Sequence, residues 1–189
     1  SQIRLTYEQN LFILGISDKN KDEFLRNEFF NLYKNIDTAY INNLITCIGS
    51  KNCQFGIIET KGLSKEICEY LHIEAPLNNN EIIRLYWSGC IKGCGLNDLG
   101  DIGFQGAKFK DENREIVLGV NITLGGKMTK ETKEGRLLFK NISINNAKIK
   151  MKNLINIYKN EKINNESFES FDTRVLQKLS IEEIQKRIG

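Results

Sequence analysis

Four of the five cysteines form two close pairs, and this spacing constrains the fold more than any other feature of the sequence. Residues 46–53 read T-C-I-G-S-K-N-C and residues 89–95 read G-C-I-K-G-C-G, with 36 residues between the two pairs. Glycines stand inside or beside both pairs, and glycine lets the backbone approach a neighbour closely. The pattern therefore predicts that all four thiols turn toward one shared metal centre. The predicted ligands are Cys47, Cys53, Cys90 and Cys94.

Three kinds of cysteine site compete for this pattern. Disulfides fit poorly, because nothing in the sequence indicates secretion and intracellular proteins keep their thiols reduced. A structural zinc site typically has C-x2-C to C-x4-C pairs, whereas the spacings here are C-x5-C and C-x3-C. An iron–sulfur cluster is larger than one ion and accepts wider spacing, so the spacing favours a cluster and leaves zinc open. The fifth cysteine, Cys68, lies among the apolar residues of a predicted helix, where we expect a buried and inert thiol.

Composition and charge limit the remaining classes of function. The chain has 189 residues, 40% of them apolar, which suffices for one substantial core. It lacks an apolar run near the roughly eighteen residues of a membrane span, so we expect a soluble, cytoplasmic protein, excised from a longer one because it begins at Ser1. Residues 107–162 hold thirteen Lys and Arg against six Asp and Glu, which indicates either an acidic ligand or partner or a basic face exposed to solvent. A recognised nucleic-acid motif does not accompany this charge, so nucleic acid is not the expected partner.

Hydrophobic periodicity predicts a mixed α and β chain. A strand over residues 83–87 leads straight into the second cysteine pair, and another over 115–124 stops at Gly125 and Gly126. Two strand segments within residues 3–16 followed by a helix are typical of half of an α+β unit. Ser180 and Glu183 form a predicted capping box for the last helix. Helices are predicted at residues 24–33, 64–71, 151–158, 168–179 and 181–188.

Both cysteine motifs resemble those of the assimilatory nitrite and sulfite reductases. T-C-I-G-S-K-N-C-Q-F-G-I-I-E-T-K is similar to the first cluster motif of that family, and G-C-I-K-G-C-G-L-N-D-L-G-D-I-G-F-Q-G is similar to the second. I-R-L-T-Y-E-Q-N-L-F-I resembles the start of the family's second ferredoxin-like half-domain, and E-S-F-E-S-F-D-T-R resembles its C-terminal helix motif. The resemblance implies an α+β fold. Residues 1–36 would be part of a ferredoxin-like half-domain, and residues 37–189 would be the α/β domain that binds a [4Fe–4S] cluster and sirohaem.

The resemblance also implies cofactors and the residues that bind them. In the family the four cysteines hold a [4Fe–4S] cluster, and the last of them, Cys94 by position, also ligates the iron of sirohaem. Gln9 and Asn10 match a pair at the cofactor edge, while Gly125 and Gly126 match a turn near the tetrapyrrole. One departure stands in the second motif: relatives commonly have Pro and Asn where this chain has isoleucine and lysine at positions 91 and 92.

By the same resemblance, the chain is expected to be the cluster-bearing C-terminal part of a sirohaem-dependent nitrite or sulfite reductase that takes electrons singly from a ferredoxin-like donor. Residues 58–61 look more like the nitrite branch. Most residues that hold sirohaem and the substrate anion would lie in the N-terminal half of a two-fold repeat about twice this length, so we expect no catalytic residue here and no activity from this part alone. A precorrin hydroxylase of the cobalamin pathway and a zinc-stabilised module without enzymatic activity stay open as alternatives.

Overall fold

The computed structural model describes residues 2–32, 38–78, 80–129 and 131–189, and the chain divides into two compact units, 1–37 and 38–189. The smaller unit contains an antiparallel hairpin of β1 (Gln2–Leu5) and β2 (Leu11–Leu14), followed by α1 (Asp18–Leu25) and α2 (Glu28–Asn31). The predicted strand pair and following helix are present, although the helix is interrupted near Asn27, whose side chain caps α2. The predicted end of that helix, at Tyr33, lies outside the described residues.

The hairpin of the smaller unit carries large apolar side chains on both of its faces. Ile3 and Leu5 pair with Ile13 and Leu11 on one face, while Phe12 opposite Arg4 belongs to the other. Leu5 is 84% exposed and Phe12 is 62% exposed. Strand residues alternate between faces, so neither face of this hairpin is covered by a core of its own.

The larger unit has a mixed sheet in the strand order β3-β4-β5-β6-β7. The first three strands run parallel, and the last two are antiparallel to their neighbours. The strands are β3 (Leu44–Thr46), β4 (Leu85–Ser88), β5 (Ile102–Lys110), β6 (Ile116–Leu124) and β7 (Arg136–Ile142). The predicted strands at 83–87 and 115–124 are confirmed as β4 and β6, whereas β3, β5 and β7 were not expected.

Helices of the larger unit pack with the sheet around one apolar core. They are α3 (Lys61–Glu74), α4 (Ile144–Glu161), α5 (Phe168–Arg174) and α6 (Ile181–Ile188). Trp87 of β4 stacks on Phe104 of β5 with ring centroids 4.1 Å apart, and both side chains are fully buried. The capping box of α6 is confirmed, because Ser180 and Glu183 exchange side-chain hydrogen bonds with each other's backbone N–H. Among the described residues, none of the helices is long and apolar enough to cross a membrane.

Candidate metal centre

The two cysteine pairs lie in loops that leave adjacent parallel strands at the same edge of the sheet. Cys47 directly follows β3, and Cys90 follows the end of β4 by two residues. Thr46 is paired with Trp87 in the register of these strands. Because parallel strands end at a common edge, the pairing brings two motifs together that are 36 residues apart in the sequence. The prediction that the second pair sits at a strand end is confirmed, and the first pair has the same placement.

Backbone hydrogen bonds tie the two loops to each other. The Cys47 N–H donates to Trp87 O at 2.9 Å, and the Ile57 N–H donates to Gly89 O at 2.8 Å. The Gly89 N–H also donates to Cys47 Sγ at 3.1 Å, within hydrogen-bonding range for sulfur. A donor aimed at the sulfur stabilises its thiolate form, which is the form that binds metal.

Two glycines allow this close approach of the loops. A Cβ on Gly95 would lie 1.8 Å from Trp87 O, so only glycine fits directly after Cys94. Gly49 has φ +69° and lies so close to Thr60 that a Cβ would come within 2.6 Å of the Thr60 N. Glycine adopts this left-handed conformation without a steric penalty. Each loop therefore requires glycine at the point where its backbone contacts an adjacent segment of the same chain.

The four loop cysteines are thiol donors of the type that an iron–sulfur cluster takes. Cys47, Cys53 and Cys90 are partly buried, while Cys94 is exposed. Across the described ranges, there is no group of three or more His, Cys, Asp or Glu side chains that could hold one metal ion. A structural zinc ion requires its ligands around one point, whereas the four thiolates of a [4Fe–4S] cluster bind different irons of a larger object. The structure does not gather three or more of the described thiols around one ion site, and the binding of a cluster by these four cysteines stays a prediction.

Cys68 is separate from these loops. It lies on α3, is fully buried in the apolar core, and burial raises its pKa to about 12. A thiol with such a pKa stays protonated at neutral pH and is a poor nucleophile or metal ligand. The expectation of a buried, inert thiol agrees with this environment.

Gly125 and Gly126 lie at the opposite end of the parallel strands from the cysteine loops. They follow Leu124, which pairs with Ile102 at the start of β5, and Ile102 in turn pairs with the first residue of β4. The Gly125 N–H donates to Asp101 O at 2.9 Å, and a Cβ on Gly126 would lie 2.4 Å from Asp98 O. The length of β4 therefore separates this turn from the cysteine loops, and its contacts are with the segment that precedes β5.

A group of acidic side chains surrounds the same turn. Asp101 is 3% exposed, and burial raises its pKa to about 6, although hydrogen bonding to the Arg84 N–H at 2.7 Å opposes that rise. Asp172 on α5 is also 3% exposed, with its pKa raised by burial. Glu169 forms ion pairs with Arg84 and Lys127, the latter at 3.0 Å. No sequence pattern indicates this cluster beyond the polarity of the individual residues.

The remaining predicted cofactor residues, Gln9 and Asn10, belong to the smaller unit. Both are exposed in the turn between β1 and β2, and Gln9 has a positive φ of 61°. The Asn10 N–H donates to Thr6 Oγ1 at 3.0 Å, which holds the turn together. These contacts describe a hairpin turn and do not test the predicted cofactor contact.

The excess of basic residues after position 107 is partly neutralised within the protein. Lys127 is paired with Glu169, as described above, and three lysines of the α4 region pair with glutamates near α3. Those pairs are Lys148 with Glu66, Lys152 with Glu74 and Lys162 with Glu81. The region therefore presents a smaller uncompensated charge than its composition indicates.

The departure at positions 91 and 92 creates an exposed apolar and basic tip on the second loop. Ile91 is 83% exposed, and Lys92 Nζ lies over the ring of Phe55 at 4.9 Å from its centroid. This cation–π contact joins the second cysteine loop to the end of the first. A proline at position 91 would fix the turn by its ring, whereas here a contact between side chains links the loops.

A family model described as "Nitrite and sulphite reductase 4Fe-4S domain" matches residues 38–188. The chain belongs to this family. A ferredoxin–nitrite reductase of Synechococcus elongatus is 34% identical over 127 residues, which are 67% of this chain and 24% of that protein. The hemoprotein beta-component of the NADPH sulfite reductase of Buchnera aphidicola is 30% identical over 173 residues, 90% of this chain and 29% of that protein.

A solved structure supports the fold of this nitrite and sulfite reductase family member. The Mycobacterium tuberculosis NirA protein superimposes with a TM-score of 0.79 at 20% identity, covering 96% of this chain and 33% of that one. The predicted mixed α and β fold of the family is confirmed. The matched region spans about a quarter of the curated relatives, and the solved relative is about three times as long as this chain, not twice as expected.

Proposed function

We propose that this chain is the cluster-bearing C-terminal part of a sirohaem-dependent nitrite or sulfite reductase, in which electrons pass from a [4Fe–4S] cluster to sirohaem. One observation carries the proposal: two cysteine loops leave adjacent parallel strands at one edge and are tied together by backbone hydrogen bonds, within the region that matches the family's 4Fe–4S domain. A ferredoxin-like protein is the proposed electron donor, because relatives include ferredoxin–nitrite reductases.

Four cysteines would hold the cluster, and Cys94 would also ligate the sirohaem iron, as the resemblance implies. When bound, the cluster takes up and releases single electrons, which a six-electron reduction of nitrite or sulfite requires. The Gly89 N–H donates to Cys47 Sγ and so offsets the negative charge on that thiolate. Gly95 sets the approach of the Cys94 loop to β4, because its missing Cβ leaves room for Trp87 O.

The rest of the proposal concerns the parts that this chain does not supply. Because it matches about a quarter of its curated relatives, the groups that bind the substrate anion are proposed to lie mainly in the N-terminal half of the same protein, and this part alone is proposed to be inactive. The assignment of residues 1–36 as a partial ferredoxin-like half-domain stays a prediction, as do the cofactor contacts of Gln9, Asn10, Gly125 and Gly126. A cytoplasmic location also stays a prediction.

The test is metal analysis of the full-length protein prepared without oxygen. We expect about four irons with matching acid-labile sulfide per chain from the cluster, and one further iron where sirohaem is bound. Replacing each of the four loop cysteines by serine in turn should remove most of the iron. Cys68→Ser is the matched control and should keep it, because Cys68 is buried in the core away from the loops.

Other metal contents would decide against the proposal. Zinc without iron or sulfide in the wild type would support the zinc-stabilised module. Iron and sulfide without nitrite- or sulfite-dependent oxidation of reduced viologen would favour the precorrin hydroxylase relative. Equal iron in Cys68→Ser and Cys94→Ser would show that the loop cysteines are not the ligands.

A further inference from the structure

A row of side-chain amides crosses the sheet beside the cysteine loops and ends at Gln105. The backbone N–H of Asn141 on β7 donates to Asn121 Oδ1 at 2.9 Å, and Asn121 Nδ2 donates to Gln105 Oε1 at 3.1 Å. Asn121 and Gln105 are directly paired in the register of β5 and β6. The row therefore connects three neighbouring strands, and nothing in the sequence analysis singled it out.

The backbone N–H at one end of the row fixes the orientation of both amides. A backbone N–H can only donate, so the atom of Asn121 that receives it must be the carbonyl oxygen. The Asn121 amino group then faces Gln105 and requires an acceptor there, which must be Gln105 Oε1. Consequently Gln105 directs its amino group, with two N–H donors, away from the row. No described residue accepts a hydrogen bond from that nitrogen, and the side chain is only partly buried.

The strand register places Gln105 next to the loop that carries Cys94. Gln105 pairs with Ser88 of β4, so both side chains are on the same face of the sheet. Ser88 Oγ accepts a hydrogen bond from the Gly95 N–H at 3.0 Å, and Gly95 is the residue after Cys94. The Cys94 loop is thus bonded to the immediate neighbour of Gln105.

The segment after Cys94 covers the same face of the sheet at Gly103 of β5. A Cβ on Gly103 would lie 1.7 Å from Asn97 O, and Thr123 Oγ1 donates to the same oxygen at 3.2 Å. Gly103 and Gln105 share this face because strand residues alternate. Gln105 is therefore the next residue of β5 on this face, and it is level with Ser88, the last residue of β4 before the second cysteine loop.

We propose that Gln105 donates a hydrogen bond to a negatively charged acceptor held at Cys94. This inference rests on the proposed function, since it requires a cofactor at the cysteine loops. Two acceptors share the necessary chemistry: a sulfur of the cluster and its thiolates, or a carboxylate of the tetrapyrrole. A donor to sulfur stabilises the more negative, reduced cluster and raises its reduction potential. A donor to a carboxylate instead strengthens retention of the tetrapyrrole.

The first test replaces the donor in the full-length holoprotein. Gln105→Leu removes it, and Gln105→Glu puts a negatively charged acceptor of the same shape in its place. If the acceptor is sulfur, a redox titration followed by electron paramagnetic resonance should give a lower cluster potential in both variants, with the larger shift in Gln105→Glu. If the acceptor is a carboxylate, the cluster potential should stay at its wild-type value, while the sirohaem absorbance per iron falls in the same order.

The second test turns the side-chain amide of Gln105 around without replacing the residue. In Asn121→Asp, one carboxylate oxygen still accepts from the Asn141 N–H, and the other repels Gln105 Oε1, so the Gln105 amide should turn over and present its oxygen outward. The Asn121→Asp variant should reproduce the shift in cluster potential, or the loss of sirohaem absorbance, that Gln105→Leu produces. The added charge alone could act at a distance, so the same change is made in the Gln105→Leu background, where it should have little further effect.

The outcomes separate this inference from the proposed function. Wild-type protein without iron would overturn both. Wild-type protein that contains the cluster and sirohaem, together with Gln105→Glu and Gln105→Leu variants that keep both the potential and the tetrapyrrole content, would overturn the Gln105 inference alone. Equal effects of Asn121→Asp in both backgrounds would show a charge effect that does not pass through Gln105, and would overturn the proposed role of the amide row.

Discussion

The two ends of the parallel strands differ in how they use polar groups. At the carboxyl ends, the cysteine loops are partly exposed, tied by backbone hydrogen bonds and tightened by Gly49 and Gly95. At the amino ends, Asp101 and Asp172 are buried with raised pKa values around a glycine turn. At the carboxyl ends, thiols are accessible to a cofactor. At the amino ends, the polar side chains interact mainly with one another. The amino ends also contain a small cavity lined by residues that include Asp101, Lys127 and Asp172, and the buried Asp172 Oδ1 has no hydrogen-bond partner in the described part of the chain.

The largest expected effect concerns the glycine that brings the Cys94 loop against β4. In Gly95→Ala the new Cβ would overlap Trp87 O, 1.8 Å away, and the two loops would have to separate. We expect a loss of about 4 kcal/mol in the free energy of unfolding and loss of bound iron. Chemical denaturation and iron analysis of the full-length protein measure both.

Gly93→Ala is the matched control for that prediction. Gly93 has φ +68°, but the nearest atom to its Cβ position is Asn97 Oδ1 at 3.9 Å. Only the conformational penalty applies, about 1 kcal/mol, and iron should be retained. If Gly95→Ala proved as mild as Gly93→Ala, the close contact between the loops would not be a requirement of the cysteine end.

The next effect tests the buried acid at the other end. Burial raises the pKa of Asp101 to about 6 from its ordinary 3.8, so the folded protein binds this proton more tightly than the unfolded chain does. The stability contributed by the protonated carboxyl is therefore present at low pH and is lost as the pH rises through about 6. For this one group the loss is on the order of 3 kcal/mol.

Asp101→Asn removes that titration while its side-chain oxygen can still accept from the Arg84 N–H. Glu169 and Asp172 also face Asp101 and stay in place, so the informative quantity is the difference between wild type and variant. We expect the variant to gain stability relative to wild type between about pH 4 and pH 7 in denaturation experiments. Parallel pH profiles for the two proteins would mean that Asp101 does not titrate in this range.

Structure that depends on contacts between residues close in the sequence could be predicted at these two ends, whereas structure that depends on contacts between distant residues could not. Helices α3, α4 and α6, strands β4 and β6 and the capping box follow from local periodicity and were predicted near their observed positions, whereas the helix expected at 24–33 is interrupted and the one expected at 168–179 ends at Arg174. β5 was not expected, because Gly103 and Gly106 weaken its strand pattern. Those glycines are required by tertiary contacts: Cβ atoms there would lie 1.7 Å from Asn97 O and 2.3 Å from Gly89 O. The two glycines that weaken the strand pattern of β5 are thus the residues that leave room for the segments around the cysteines.

The candidate site was predicted by residue type and resemblance, but its geometry was not. The pairing of β3 with β4 brings the two motifs side by side, and a three-residue strand such as β3 has no reliable local signal. The same limit applies to the position of Gly125 and Gly126 at the amino end of β4, which the β5 and β6 register sets, while their contact with the tetrapyrrole stays a prediction. Gln105 was missed for the same reason, since its orientation depends on residues of β6 and β7.

The smallest expected effect concerns surface lysines, which we compare between the two ends of the parallel strands. Lys108 and Lys110 are exposed in the second half of β5, beyond the residue paired with Ser88, whereas Lys127 follows the glycine turn and is paired with Glu169. Reversing Lys108 and Lys110 to Glu should weaken binding of an acidic ferredoxin about fivefold at low salt, because exposed charges steer an oppositely charged partner and are worth little individually. The effect should disappear at high ionic strength, where such charges are screened.

Lys127→Glu should change the affinity less, since its charge is already compensated by Glu169. Titration of the full-length protein with ferredoxin at two salt concentrations measures this, and an equal or larger effect of Lys127→Glu would place the donor surface at the other end of the sheet.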